Sequence, residues 1–291
     1  MKIAVTGANG MVGALLVKKL KEKKFEVMEL TRANCDITNK EMTKKAIKGA
    51  DVVVHCAAQL DEDAADMEEI NVRGTENVLE AASAAGAKQF VFLSSIAAFG
   101  NTLGIKDEQT KPNPETRYEK TKWEAEKKVM EYQEVFPITI FRPAIIVGNN
   151  YYWKKIIKVI GKDFPLIGDG KNKWQLVCLE DVVDAIVFSI NNEDCYGEIF
   201  IIAEKEGMTL RELAEFIRSE LGMKKPLKTI PFWLGSAIAF INGFVKIIPL
   251  LNPAYLKRMA RDRRYSTKKL QKTGFTPKLS GKEGLEKIIH L

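Results

Sequence analysis

Short apolar runs alternate with longer stretches of helical period over the first two-thirds of the chain. Lys2–Thr6, Phe25–Leu30, Asp51–Cys56, Gln89–Leu93, Ile138–Arg142 and Glu198–Ile202 are rich in Val, Ile and Phe. They lack strict apolar–polar alternation, as strands buried on both faces do. Between them Val12–Lys23, Asn39–Lys48, Asn71–Ala85, Tyr118–Phe136 and Glu180–Asn191 carry helical spacing. This alternation predicts an α/β fold built on a doubly wound parallel sheet. After Ile202 the pattern changes. Thr209 and Glu212 form a capping box, and Gly222 closes the helix they open. Pro226, Pro231, Pro249 and Pro253 then break the chain, and residues 149–174 are rich in Gly and Lys. The expected division is a sheet domain, 1–148 and 175–204, and a smaller, mostly helical substrate-binding lobe, 149–174 and 205–291. The lobe should lie over the carboxyl edge of the sheet, where ligands bind in open α/β folds.

The first strand runs into T-G-A-N-G-M-V-G, with glycines at Gly7, Gly10 and Gly13. The first permits a tight turn, the second lets backbone N–H groups approach a pyrophosphate, and the third lets helix and strand pack closely. The helix then faces the phosphates with its positive end. This predicts a Rossmann cradle for a dinucleotide, with Asn9, Met11 and Val12 completing the turn. At the second strand's tip, where NAD enzymes usually carry an acid, stand Thr31 and Arg32. A guanidinium there suits a 2′-phosphate, so NADP is expected over NAD. Asp36, followed by Ile37, is a candidate for the adenine amino group or for the N-cap of the next helix.

Tyr118 and Lys122 stand one helical turn apart in R-Y-E-K-T-K-W, so they share a helix face. A phenol titrates near ~10. An ammonium about 4 Å away favours phenolate by roughly 1 kcal/mol in water and about 4 at an effective dielectric of 20. Lys122 is therefore expected to lower the Tyr118 pKa by about one to three units, into range for general acid–base work, and also to hold the nicotinamide ribose. Ser95 ends the strand before them and can hydrogen-bond a substrate oxygen; Ser94 is its rival.

These residues resemble the extended short-chain dehydrogenase/reductase superfamily, in its NAD-dependent epimerase/dehydratase group. T-G-A-N-G-M-V-G resembles T-G-x-x-G-x-x-G. H-C-A-A-Q at 55–59 is similar to the fourth-strand motif beside the nicotinamide, which implies cofactor contacts at Ala57, Ala58 and Gln59. N-V-R-G-T at 71–75 resembles N-V-x-G-T, whose Asn, here Asn71, supports the central strands. L-S-S-I-A-A-F-G at 93–100 resembles S-S-x-x-V-Y-G, with Phe99 in place of the usual Tyr. In that pattern the catalytic Ser lies five before the Gly, which implies Ser95, with Leu93 beside the cofactor. P-E-T-R-Y-E-K-T-K resembles P-x-x-x-Y-x-x-x-K. F-R-P-A-I-I-V-G at 141–148 resembles the R-P segment, where Pro143 lines the nicotinamide pocket, and Asp181 in the V-x-D-V-x-x-A segment is structural. The tail from Arg263 to Leu285 is similar to the branch near 3β-hydroxysteroid dehydrogenases and dihydroflavonol reductases. The resemblance implies a homodimer through helices 71–85 and 118–136.

Composition narrows the remaining choices. The chain has 291 residues, 46% hydrophobic, and a net charge of +7. Its four cysteines, Cys35, Cys56, Cys178 and Cys195, form no C-x-x-C, and with two histidines no metal site of ordinary ligand count is expected. Met1 and Lys2 run straight into a strand, so no signal peptide is expected, and a cytoplasmic protein with reduced thiols is. His55, within an apolar run, is expected in the core. Residues 232–251 form the most hydrophobic stretch, broken by Asn242, Lys246 and Pro249. They suit the core of the lobe, a lid over an apolar substrate, or a membrane-surface contact extending to 272. Lys257–Lys272 follows, with eight basic residues and one acid, Asp262, suited to lipid headgroups or a substrate phosphate. No aromatic-interleaved basic array points to nucleic acid. The expected activity is hydride transfer between NAD(P) and a secondary alcohol or ketone of a small molecule, sterol- or flavonoid-like. The alternatives are internal redox on a nucleotide sugar, as in a 4-epimerase, which Arg263 and Arg264 would serve, and a non-catalytic dinucleotide-binding subunit.

Overall fold

The computed structural model describes residues 1–245, 247 and 251–291. Six strands form one parallel sheet: β1 (Lys2–Thr6), β2 (Glu26–Leu30), β3 (Val52–His55), β4 (Gln89–Leu93), β5 (Ile138–Pro143) and β6 (Glu198–Ile202). Across the sheet they run β2-β1-β3-β4-β5-β6. Register aligns Thr6 with His55, His55 with Phe92 and Leu93 with Phe141. The order reverses between β1 and β3, which opens a crevice at their carboxyl ends. The H-C-A-A-Q segment, similar to a fourth-strand motif, begins here on His55, the last residue of the third strand.

Both sheet faces are covered. Helices α1 (Met11–Glu22) and α6 (Leu179–Ser189) share one core with β1, through Leu16, Leu20, Val182 and Ile186. Helices α2 (Lys40–Ile47), α3 (Gly74–Ala84) and α4 (Arg117–Met130) close the other face through Ile47, Val78, Leu79, Ala125 and Val129. Each of the Leu, Ile and Val side chains among them contributes about 1.5–3 kcal/mol on burial. The strand and helix boundaries follow the apolar pattern with two exceptions. A π-helical turn, Glu69–Arg73, precedes α3, and α4 stops at Met130 instead of reaching Phe136. Pro137 disfavours helix at the residue before it, and Phe136 folds back to stack on Phe90 at 5.7 Å.

A third core joins helices α5 (Tyr151–Gly161), α7 (Leu210–Glu220) and α11 (Gly281–Ile289) around Trp153, Trp174, Leu213, Ile217 and Leu285. The expected capping box of Thr209 and Glu212 opens α7, and Gly222 follows it at φ +69°. Helices α8 (Phe232–Val245), α9 (Pro253–Met259) and α10 (Lys268–Lys272) complete the fold. Helix α8 is reversed relative to an ordinary surface helix. It buries Gly235, Ala239 and Asn242 and exposes Phe232, Trp233, Phe240, Ile241, Phe244 and Val245. Its large side chains are thus not the core of the lobe. Lys246 and residues 248–250, including Pro249, lie outside the described residues. Among the described residues no helix is long and apolar enough to cross a membrane.

Candidate active site

The glycine turn is built for close approach. Gly7 sits at φ +67°, and a Cβ there would lie 2.9 Å from the Ala57 backbone. A Cβ on Gly13 would lie 2.1 Å from the Gly7 carbonyl oxygen, so any side chain would push α1 off the turn. Gly10 caps α1 with no side-chain acceptor, and no acid occupies the first turn. The N–H groups of Met11, Val12 and Gly13 therefore face the crevice without the partners that capping boxes give α4, α7 and α11. Asn9 is exposed beside them. This cradle fits a pyrophosphate.

At the β2 tip, Thr31 N–H donates to Asn34 Oδ1 at 2.7 Å, and Asn34 Nδ2 reaches back to the Glu29 carbonyl at 2.9 Å. Arg32 is exposed, its nearest acid Asp66 at 3.6 Å. Asp36 is not the N-cap of α2; Asn39 is. The Asp36 carboxylate instead accepts from Thr38 N and Oγ1 at 3.0 and 2.8 Å, which hold its pKa low. The Ile37 side chain is buried against Gly74. Ala57, Ala58 and Gln59 line the exit of β3, and Pro143 ends β5. Asn71, expected to support the central strands and counted among the cofactor-side residues, is 2% exposed and braces the β3 exit. It accepts from Gln59 N at 2.7 Å and donates to Gln59 O and Thr121 Oγ1, each at 3.0 Å.

The catalytic candidates meet at the end of β4. Ser95 caps a 3-10 turn, Ile96–Phe99, that ends at Gly100. Gly100 stands at φ +54° with the Asn113 carbonyl where a Cβ would go. That contact draws the segment leading into α4 against the serine loop. Tyr118, in the first turn of α4, lines the same cleft as Ser95. Ser94 is turned away: its hydroxyl donates to Glu126 at 2.6 Å, and Glu126 pairs with Arg142 in the buried interior. Buried charges persist only when paired in this way. The Arg142 guanidinium also lies 5.0 Å from the Phe99 ring centroid.

Lys122 is 3% exposed. Its ammonium donates to the Leu93 carbonyl at 2.7 Å and lies 4.4 Å from the Phe92 ring centroid. Burial lowers its pKa to about 8, against the opposing influence of Glu126 and Cys56. The expected tuning of Tyr118 by Lys122 is not what this structure shows. Burial pushes the phenol up to about 12; the nearby Ser95 hydroxyl lowers it, and Glu62 raises it further. Tyr118 is a neutral proton donor here. His55, expected in the core, is fully buried between Thr6 Oγ1 at 2.6 Å and Thr75 Oγ1 at 3.0 Å. Desolvation lowers its pKa to about 3, so it is neutral.

Ser95 and Tyr118 open into a cleft of about 330 Å³, whose far wall is the tail segment 255–265. Arg258 pairs with Glu62 at 2.8 Å, and Arg261 with Glu119 at 2.8 Å and Glu115 at 2.6 Å. These pairs clasp the tail to the start of α4 and to the loop after β3. Arg264 is not in the wall; it pairs with Asp262 at 2.6 Å. Arg258, Arg261, Arg263 and Lys106 are in it. Of these, sequence reasoning singled out Arg263 alone. Lys106, an isolated lysine in a two-residue strand, gives no signal in the sequence.

The NAD dependent epimerase/dehydratase family model matches residues 3–203, and the chain belongs to that family. It is an NAD-dependent enzyme of the extended short-chain dehydrogenase/reductase type. It is 25% identical to the N-acetyl-alpha-D-glucosaminyl-diphospho-ditrans,octacis-undecaprenol 4-epimerase of Escherichia coli O157:H7, over 99% of this chain and 94% of that one. It is also 25% identical to 3beta-hydroxysteroid-dehydrogenase/decarboxylase isoform 1 of Arabidopsis thaliana, over 88% of this chain and 65% of that one. The structure of a Thermotoga maritima UDP-glucose 4-epimerase, solved with UDP-glucose, superposes with a TM-score of 0.80 at 22% identity. That alignment covers 100% of this chain and 98% of the other, and it shows a shared fold.

Proposed function

We propose that Ser95, Tyr118 and Lys122 carry hydride chemistry at a secondary alcohol or ketone carbon of a small molecule. A bound nicotinamide supplies or accepts the hydride. The residues do the rest. Ser95 Oγ and Tyr118 Oη bracket the substrate oxygen. Tyr118, held neutral by burial, donates a proton as alkoxide character develops there and recovers it in the reverse direction. Lys122, fixed beside the end of β4, is placed to hold the nicotinamide ribose. The first-turn N–H groups of α1 hold the pyrophosphate. Thr31 and Arg32 favour a 2′-phosphate, hence NADP over NAD.

The observation that carries this reading is the convergence of Ser95 and Tyr118 on one cleft beside a buried lysine, at the same sheet edge as an uncapped glycine turn. The guanidinium-lined wall favours a phosphate-bearing sugar, and so internal redox of the 4-epimerase kind, over a neutral sterol. Mass spectrometry of small molecules released from freshly purified, denatured protein tests the cofactor: a retained NAD or NADP is expected. Tyr118→Phe should lower kcat about 10²–10⁴-fold with the fold intact. Unchanged kcat in that variant would remove Tyr118 as the proton donor, and function in cells that survives a full loss of kcat would leave only a dinucleotide-binding role.

A further inference from the structure

A second void, about 860 Å³, lies under α8 between α5, α7 and α9. That falls in the upper part of the ~300–1,000 Å³ usual for a small-molecule site. Its wall is apolar, with Ile156, Leu213, Leu227, Ile230, Ile238 and Met259 among its residues. Asp169, Asn172 and Thr229 are its polar side chains besides Trp174 and Tyr255. The Asn172 amide is already spent on the Met259 and Arg261 carbonyls, at 2.9 and 3.2 Å. A nucleotide base placed here would lose its hydrogen bonds to water and regain few.

This void meets the Ser95–Tyr118 cleft: Tyr255 and Met259 line both. At that boundary the donors lack acceptors. Trp174 Nε1, Tyr255 Oη, Arg261 Nε and Arg263 Nε are buried with no hydrogen-bond partner among the described residues. The Arg263 guanidinium lies over the Trp174 ring at 4.6 Å and donates to the Arg258 carbonyl, with no carboxylate paired to it. Lys106, 3% exposed, donates to the Asp262 carbonyl at 2.7 Å and likewise has no paired carboxylate. Buried donors and cations left this way call for an oxygen-rich anion.

We propose that the substrate is an amphiphilic anion: the carbinol or ketone carbon that exchanges hydride lies at Ser95 and Tyr118, a diphosphate-type head beside it on Arg263, Arg261 and Lys106, and a hydrocarbon chain in the void under α8. This rests on the hydride-transfer reading and names the substrate class of that site. The head accounts for the unpartnered donors, the chain for the absence of base-recognition groups. It also joins two sequence signals that looked like rivals, the apolar stretch and the basic tail.

The test is calorimetric binding to the full-length protein, without cofactor or turnover. The probes are inorganic diphosphate and isopentenyl, geranyl and farnesyl diphosphates below their aggregation concentrations. Each added isoprene unit is expected to tighten binding on the order of tenfold. Ile238→Trp and Leu227→Trp, which fill the void from two sides, should flatten that dependence and leave inorganic diphosphate unaffected. Affinity independent of chain length in the wild type overturns the proposal. So does a chain dependence lost in Phe240→Ser, on the outer face of α8, but kept in both tryptophan variants. Tyr118→Phe should bind the series like the wild type, so failure here and failure of the hydride chemistry are separable.

Discussion

Replacing Lys122 with Met should change how stability depends on pH. The ammonium is buried, and burial lowers its pKa from 10.5 to about 8. In the unfolded chain it keeps its ordinary value. Between those values the unfolded state binds more protons than the folded one, so stability rises with pH through that window. At about 1.4 kcal/mol per pKa unit, keeping Lys122 charged costs the fold about 3 kcal/mol near pH 7 and about 1 near pH 9.5. Met fills a similar volume and titrates nowhere. It loses the bond to the Leu93 carbonyl, worth about 1–3 kcal/mol at any pH. Urea unfolding of both proteins at the two pH values isolates the lysine, because other groups cancel in the difference. The wild type should gain about 2 kcal/mol on Lys122→Met as pH rises across that range. A difference that does not move with pH would refute the buried cation. A wild type less stable than the variant at neutral pH would show a lysine kept for chemistry at a cost in stability.

The cofactor pocket and the outer face of α8 give two further outcomes. Arg32→Asp should shift kcat/KM toward NAD by tenfold or more, since an exposed guanidinium follows Thr31, which holds the usual acid position at the β2 tip; unchanged preference would remove Arg32 from the site. Helix α8 should rest on an anionic bilayer as part of a weak contact through 232–272. Residues 224–264 hold nine basic residues and one acid, flanking the exposed Trp233, Phe240 and Phe244. Flotation should show binding to vesicles of anionic phospholipid, lost in Trp233→Asp and at high salt; no flotation would dismiss the contact.

The sheet was legible because its strands are continuous apolar runs, which nothing but a two-sided core requires. The glycine turn and the Ser95, Tyr118 and Lys122 set were legible because each depends on local spacing. What escaped depends on contacts far apart in the chain. Ser94 was separated from Ser95 by a partner 32 residues away, Glu126, which in turn pairs with Arg142. The Tyr118 pKa follows from its burial and from Glu62, not from its helical neighbour, whose ammonium is spent on Leu93. The reversed face of α8 was hidden because a helix apolar on all sides carries no period to read. Arg258 and Arg261 reach the cleft because ion pairs to Glu62, Glu115 and Glu119 hold the tail against it, and Lys106 reaches it through pairing with the tail at Tyr265 and a bond to the Asp262 carbonyl.

The most direct test of the account is a crystal structure with NADP or NAD bound. The account requires the pyrophosphate on the N–H groups of residues 11–13 and the reactive carbon of the nicotinamide facing the Tyr118 hydroxyl across a gap that one substrate carbon fills. A nicotinamide ring ordered elsewhere, with Tyr118 and Ser95 out of its reach, would contradict it.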